Sequence, residues 1–266
     1  MKAFVTVLSN DKYLDGVIVL AKSLKAVNTI YPLYCLSSSG VSKNAERYLE
    51  QNGISILKIE AQTLSNEANG DGQEFSHWNY TFDKLQVWGL TQFEKIVFLD
   101  SDMLILRNLD SLFDKPAFAA VCAGKSYPTH KDWKELNSGI IVIDPDNTVK
   151  QSLIDLVAPV VSEFKRKGVP VGDQDVIHKF IPDWPSDTSL HLDEGYNILA
   201  DYLTYYIRQE GYSLKNTAGK PIYVIHFIGR TKPWMKKSLR NWAWFIKMCL
   251  TNPYYYWAYK KYRSYL

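Results

Sequence analysis

Residues 95–106, KIVFLDSDMLIL, set the tightest limit on how this chain folds. Two apolar runs, 96–99 and 103–106, stand on either side of a gap holding Asp100 and Asp102. Short apolar runs bounded by charge read as buried strands. Strand-like sequence on both sides of the pair suggests a short acidic loop held at the edge of a sheet. Carboxylates on alternate residues of a loop can share one hard divalent cation, and that cation can in turn hold a diphosphate.

The stretch before it alternates strand and helix patterns. Residues 3–8 read as a buried strand, and Val17, Leu20, Ala21 and Leu24 recur at helical spacing within 15–27. A second short strand is expected at 32–37. Ser42 is a fitting N-cap for a helix to Gln51, with Gly53 where a C′ glycine belongs. Residues 54–59 alternate as a third strand. This order demands right-handed crossovers and a largely parallel sheet, hence an α/β fold. Ligands of such sheets bind beyond the carboxyl ends of the strands, which makes the loop 9–13 a first candidate site. Residues 60–79 are polar and read as a surface loop. A helix carrying Lys84 is expected over 82–93, then a short helix near 108–113 and a strand at 117–123. Further on come a strand at 138–143, a helix over 147–167, a short helix opened by 172–175, and a last strand at 222–227. No repeat or linker interrupts the series.

Composition narrows the class. The 266 residues suffice for one large core, and 46% hydrophobic against 22% charged is ordinary for a globular protein. Three distant cysteines lack metal-ligand spacing and point to a reducing, cytoplasmic setting. The start MKAFVTVLSND is too short for a signal peptide, and no run approaches the ~20 apolar residues that span a bilayer. The net charge of +3 conceals a segregation. Residues 211–266 hold 11 Lys and Arg and no acid, leaving 20 basic and 28 acidic groups in residues 1–210, a net of −8. Such segregation points to an anionic partner.

Asp-x-Asp is a weak signal alone. The 18 aspartates form three such pairs, Asp100/Asp102, Asp144/Asp146 and Asp173/Asp175. Each could be a capping or turn pair. Asp144-Pro145-Asp146 fits that reading, whereas apolar strand resumes directly after Asp102. His226, at a strand end, could be a packed core residue. The Gly229-Arg230-Thr231-Lys232 that follows favours a ligand role: glycine lets backbone approach an oxygen anion, and Lys232 is a point charge for phosphate. Imidazole beside carboxylates suits Mn²⁺ better than Ca²⁺, with Mg²⁺ as an alternative. Asp100, Asp102 and His226 are therefore expected to form one metal site.

Six segments then carry a resemblance: FVTVLSNDKYLDGVIVLAKSL, FDKLQVWGL, KIVFLDSDMLIL, LNSGIIVIDPD, GDQDVI and HFIGRTKPW, in order over about 3–234. Together they resemble glycosyltransferase family eight, in its glycogenin and galactinol synthase branch. The resemblance implies a single GT-A (Rossmann-like) nucleotide-sugar-binding domain over 1–234, Mn²⁺, a UDP-sugar donor and retention of anomeric configuration. It implies that Val7, Ser9, Asn10 and Tyr13 hold uracil and ribose, with Ser9 standing where Thr is frequent. Asp100, Asp102 and His226 would bind metal, with Asp102 or the Ser101 backbone also touching ribose. Gly229 and Lys232 would contact the diphosphate. Lys84 would lie near phosphates and sugar. Asn137, Ser138, Asp173 and Gln174 would surround the transferred hexose, glucose or galactose. Asp173 is the matched carboxylate not committed to metal, so it is the candidate nucleophile or cation stabiliser, its alternative being a helix N-cap. Lys84 and Gln174 complete the candidate catalytic group.

Residues 235–266 form a basic, aromatic C-terminal segment with Leu239, Trp242, Ile246 and Leu250 near one helical face. Basic residues with interfacial aromatics describe a helix lying on an anionic membrane, which implies a lipid-linked or other glycan acceptor. The alternative is a terminal helix packing its aromatics on the body. No recognisable nucleic-acid module accompanies the charge. Self-glucosylation on a tyrosine stays open, as does a nucleotide-sugar-binding protein without transfer. The oligomeric state is open too, a homodimer included.

Overall fold

The structure, a computed structural model, describes residues 1–59, 76–130, 132–215, 219–229 and 231–266. The polar loop expected at 60–79 lies outside these apart from its last four residues, as does Arg230.

The opening alternation folds as its pattern demands. β1 (Lys2–Leu8), β2 (Leu33–Ser37) and β3 (Ser55–Lys58) pair in parallel around α1 (Leu14–Ala26) and α2 (Lys43–Gln51). Ser42 caps α2 by accepting the Ala45 N–H, and Gly53 follows its end with φ +77°. β4 (Lys95–Leu99) lies parallel to β1. β5 (Met103–Ile105) leaves this sheet for another. β6 (Ala120–Val121) and β7 (Asn137–Ile143) close the main sheet, whose order is β3-β2-β1-β4-β7-β6, with β7 antiparallel to both neighbours. β8 (Ile198–Leu199) and β11 (Val224–His226) join β5 in a three-stranded sheet, order β5-β11-β8, while β9 (Tyr212–Ser213) and β10 (Lys220–Pro221) form a small parallel pair.

The main sheet is covered on both faces. Along β4, Ile96 and Phe98 point into one core with Trp88, Leu153 and Val157. Val97 and Leu99 point into the other with Leu20, Leu112 and Phe113. That period of two, apolar at every position, is why the run reads as continuously hydrophobic. α3 (Asn147–Lys167) starts at Asp146, whose Oδ1 accepts the Thr148 and Val149 N–H groups, and ends at Gly168 with φ +67°. α4 (Asp173–Phe180) packs beside it.

Three expectations change. The helix expected over 82–93 is a 3₁₀ run, Ser76–Gly89. Apolar residues at 82, 85 and 88 satisfy a period of 3.0 as well as 3.6, and the tighter winding buries Phe82, Leu85 and Trp88 while carrying Asp83 and Lys84 inward. The strand expected at 117–123 narrows to Ala120–Val121, with Phe118 at φ +61° and Ala119 still hydrogen-bonded to Val142 of β7. The strand at 222–227 shortens to β11, although Ile222 and Phe227 remain buried.

The aromatic carboxyl end divides. α5 (Leu203–Arg208) receives α7 (Pro253–Arg263), whose Tyr255, Ala258 and Tyr262 are buried in a third core with Leu203, Tyr206, Ile225 and Phe227. Asn252 caps α7 and donates to the Ala200 and Asp201 carbonyls, 3.1 and 2.8 Å. α6 (Leu239–Thr251) is different: it buries Phe245 and leaves Leu239, Trp242, Ile246 and Leu250 at 90, 47, 55 and 80% exposure.

Candidate metal and diphosphate site

Asp100–Asp102 is where the chain crosses from one sheet to the other. β4 sits in the middle of the main sheet, so the acidic loop lies at the end of a central strand, not at a sheet edge as expected. The Asp100 N–H donates to the Gly139 carbonyl of β7 at 2.8 Å, and the Asp102 carbonyl accepts the Phe227 N–H after β11 at 3.0 Å. The loop is thus pinned on both sides. β11 runs antiparallel to β5 with His226 opposite Met103, which brings His226 to the loop across more than 120 residues.

Two glycines make room. A Cβ on Gly139 would lie 2.6 Å from the His226 ring, and one on Gly16 would lie 2.7 Å from the Ser101 carbonyl. The imidazole therefore rests against bare β7 backbone, and α1 rests against the acidic loop.

Asp100, Asp102 and His226 offer ligand atoms all within 4.8 Å of one another. His226 Nε2 lies 3.0 Å from Asp102 Oδ1 and 3.7 Å from Asp100 Oδ2. His226 Nδ1 meets Asn197 Oδ1 at 2.9 Å, and Asn197 Nδ2 donates to Asn137 Oδ1 at 2.8 Å. That chain makes Nδ1 the donor and turns Nε2 toward the carboxylate oxygens. A divalent cation held between them would take Nε2 and the two carboxylates as ligands. Two carboxylates and an imidazole are a donor set that suits Mn²⁺ and tolerates Mg²⁺.

Two buried lysines flank the cluster. Lys84 Nζ contacts Asp100 Oδ1 at 3.1 Å, Asp173 Oδ2 at 2.9 Å and Ser138 Oγ at 3.1 Å, above the Phe98 ring. Lys232 Nζ contacts Asp102 Oδ2 at 2.6 Å and the Phe227 carbonyl at 2.7 Å. Three carboxylates against two ammoniums leave one net negative charge with His226 neutral. A divalent cation would reverse that sign and a diphosphate would offset it.

The two loop carboxyls are driven apart. Burial raises Asp100 despite Lys84, and Asp102 adds to the rise. Burial acts on Asp102 too, but Lys232 and then His226 overcome it and hold that carboxyl well below the usual range. For Lys84, burial opposes the charge, while Asp100 and Asp173 outweigh it and raise the ammonium above its ordinary value.

The remaining expected residues fall around this centre. Asp173 is the first residue of α4, not its N-cap, which is Gly172. The Asp173 Oδ2 also accepts from Ser138 Oγ at 2.7 Å, and Gln174 Oε1 accepts the Ser138 N–H at 3.2 Å. Asp175 turns back to accept the Gly172 N–H. At the end of β1, half-buried Val7 precedes Ser9, whose Oγ donates to Asp83 Oδ2 at 2.7 Å. Asn10 caps the 3₁₀ turn Asp11–Tyr13 through the Lys12 N–H. The Tyr13 ring lies edge-on to Trp234, 5.7 Å away, with Lys232 Nζ 6.0 Å from its centre. Ser101 is buried, and an added Cβ on Gly229 would touch nothing. Sequence reasoning missed Asn197, Thr81 (whose Oγ1 accepts the Asp173 N–H), Asp83 and Trp234 as supports. Their partners lie 29 to 222 residues away, so spacing carries no signal for them.

An acidic loop at the end of a central strand faces a histidine and two lysines where the six-stranded and three-stranded sheets of this α/β fold meet. The chain belongs to glycosyl transferase family 8, which matches residues 4–238. It is 33% identical to glycogenin-1 of Caenorhabditis elegans over 236 residues, 88% of this chain and 51% of that protein. It is 29% identical to UDP-glucuronate:xylan alpha-glucuronosyltransferase 2 of Arabidopsis thaliana, covering 88% of this chain and 36% of that protein. This chain therefore spans about half or less of the length of these relatives. In fold it is similar to the galactosyltransferase LgtC, solved with donor and acceptor sugar analogues. The TM-score is 0.61 at 18% identity, over 94% of this chain and 96% of that one.

Proposed function

We propose that this protein is a Mn²⁺-dependent, retaining hexosyltransferase that moves glucose or galactose from a UDP-sugar to a hydroxyl of a glycan or glycolipid. One observation carries the reading: the Asp100/Asp102/His226 cluster lies between Lys232 and the Lys84–Asp173 pair. A divalent cation held there supplies Lewis-acid stabilisation of the departing diphosphate. Lys232 adds a fixed positive charge to the same leaving group. Val7, Ser9, Asn10 and Tyr13 line the path for uracil and ribose, with the Ser101 backbone at the ribose and Gly229 beside the diphosphate. Asn137, Ser138 and Gln174 border the hexose. Asp173 has one oxygen tied by Lys84 and Ser138, and among the described residues nothing hydrogen-bonds the other. That free oxygen suits either attack on the anomeric carbon or stabilisation of its cation during front-face attack.

UDP release from UDP-glucose, UDP-galactose and UDP-glucuronate, with Mn²⁺, Mg²⁺ or EDTA, tests this. One hexose donor should be turned over at least about tenfold faster with metal than with EDTA. No metal-dependent release from any of them sinks the reading and leaves a nucleotide-sugar-binding protein. A second reading, self-glucosylation, draws on the likeness to glycogenin-1 and on exposed Tyr256. A ladder of hexose masses on the protein itself would establish it.

We also place the protein in the cytoplasm, peripherally on an anionic membrane, with the three free thiols and α6 as support. Among the described residues no helix is long and apolar enough to cross a membrane. The exposed Leu239, Trp242, Ile246 and Leu250 of α6 are flanked by Lys236, Lys237, Arg240 and Lys247. Such a stripe fits the headgroup boundary of acidic lipid. Because α7 belongs to the core, the test keeps the full chain and alters α6 alone. Changing Leu239, Ile246 and Leu250 together to Gln should abolish cosedimentation with phosphatidylserine vesicles while UDP release persists. Unchanged cosedimentation would remove the membrane assignment.

A further inference from the structure

Lys232 is placed where a diphosphate ligand would not be expected to wait. Its ammonium is buried and sits directly on Asp102 Oδ2 and the Phe227 carbonyl, while the other Asp102 oxygen faces His226. Both oxygens of Asp102 are thus engaged by side chains of this protein. A cation entering beside Asp100, Asp102 and His226 meets a positive charge already held by one of its ligands. The backbone around Lys232 is clamped. Trp234 donates its indole N–H to the Lys12 carbonyl at 2.8 Å and stacks on Tyr262. Arg263 of α7 donates to the Pro233 carbonyl at 3.1 Å. The side chain, in contrast, is a four-carbon stem that can swing without moving that backbone.

We infer that Lys232 is a built-in counter-ion for the metal site, which makes metal binding depend on the nucleotide diphosphate. The inference rests on the metal-site reading above and adds to it a second role for this lysine. Without nucleotide, the ammonium neutralises Asp102 and disfavours the metal. A diphosphate draws the ammonium away, freeing Asp102 for the metal and placing Lys232 on the phosphate. Metal and UDP then favour each other by the same factor, as linkage requires. The clamp formed by Trp234, Tyr262 and Arg263 keeps Lys232 within reach of both partners, which gives α7 a purpose beyond core packing.

The test is a Mn²⁺ titration of the full chain, followed by electron paramagnetic resonance of free Mn²⁺, with and without UDP. Lys232→Met removes the charge and Lys232→Arg keeps it. Wild type and Lys232→Arg should bind Mn²⁺ weakly alone, and Lys232→Met should bind it at least about tenfold more tightly without UDP. Thermal melting supplies an independent readout: Mn²⁺ alone should raise the melting temperature of Lys232→Met more than that of wild type. Equal or weaker Mn²⁺ affinity in Lys232→Met, alongside normal binding of Mn²⁺ with UDP to wild type, overturns the counter-ion role and leaves the metal site standing. No Mn²⁺ binding to any of these proteins with UDP present overturns both.

Discussion

Asp102→Asn should lower metal-dependent UDP release by on the order of 10²–10³-fold, the loss that follows removal of one preorganised charge-stabilising group. The amide keeps the shape of the carboxylate and loses its charge. His226 Nε2 and Lys232 Nζ would then face a neutral group at the contacts now measuring 3.0 and 2.6 Å. Raising Mn²⁺ should recover only part of the rate, since a ligand charge has been deleted. Asp144→Asn is the internal control. That carboxylate belongs to another Asp-x-Asp pair, is exposed and touches Lys95 at 3.3 Å, so its loss should change the rate less than about twofold. Metal-dependent release that survives in Asp102→Asn would place the metal elsewhere.

The control works because one spacing serves three physical ends in this chain. Asp144 and Asp146 leave β7 and enter α3, one pairing with Lys95 and the other capping the helix. Asp173 and Asp175 open α4, where 3.6-residue winding sends Asp173 to Lys84 and lets Asp175 return to the Gly172 N–H. Only Asp100 and Asp102 are followed at once by apolar strand. That continuation is visible in the sequence and distinguishes this pair from the other two. The sequence did not show that the strand after it belongs to a different sheet. Three residues of β5 cannot announce a partner in β11, whose sequence lies some 120 positions on.

Local order was legible where periodicity and capping agree. α1, α2 and α3 start and stop within a residue or so of their signals, because Ser42, Gly53 and the 147–167 spacing act through near neighbours. Legibility failed where one pattern supports two windings, as in Ser76–Gly89, or where a turn needs a left-handed phenylalanine, as at Phe118. The site was legible through its charged members and silent about its supports. Asn197 orients His226, and Trp234 clamps the Lys232 loop, yet both depend on contacts that only the folded chain creates. The aromatic tail was legible as composition alone. Its residues split between α7, which joins the core, and α6, which presents its apolar stripe to solvent.

Lys84→Met should be the most damaging single change in both activity and stability. One ammonium serves Asp100 and Asp173 at 3.1 and 2.9 Å; Lys84 and Asp173 are buried and Asp100 is partly so. Methionine fills the volume over Phe98 but leaves two carboxylates without their counter-ion. Removing one member of a buried ion pair costs about 3–5 kcal/mol. For a domain of this size that lowers the melting temperature by roughly 6–20 °C. The sign of the pH dependence identifies the cause. Asp100 already sits above its ordinary value through burial, and losing Lys84 pushes it further up. A carboxyl whose folded value exceeds its unfolded value binds more protons when folded, so stability falls as pH rises between the two. Lys84→Met should therefore lose stability relative to wild type as pH rises above the ordinary carboxylate range and regain part of it on acidification. Calorimetry through and above that range, with UDP release measured in parallel, decides the matter. A variant melting within about 2 °C of wild type at every pH would show that the ammonium does not hold these carboxylates.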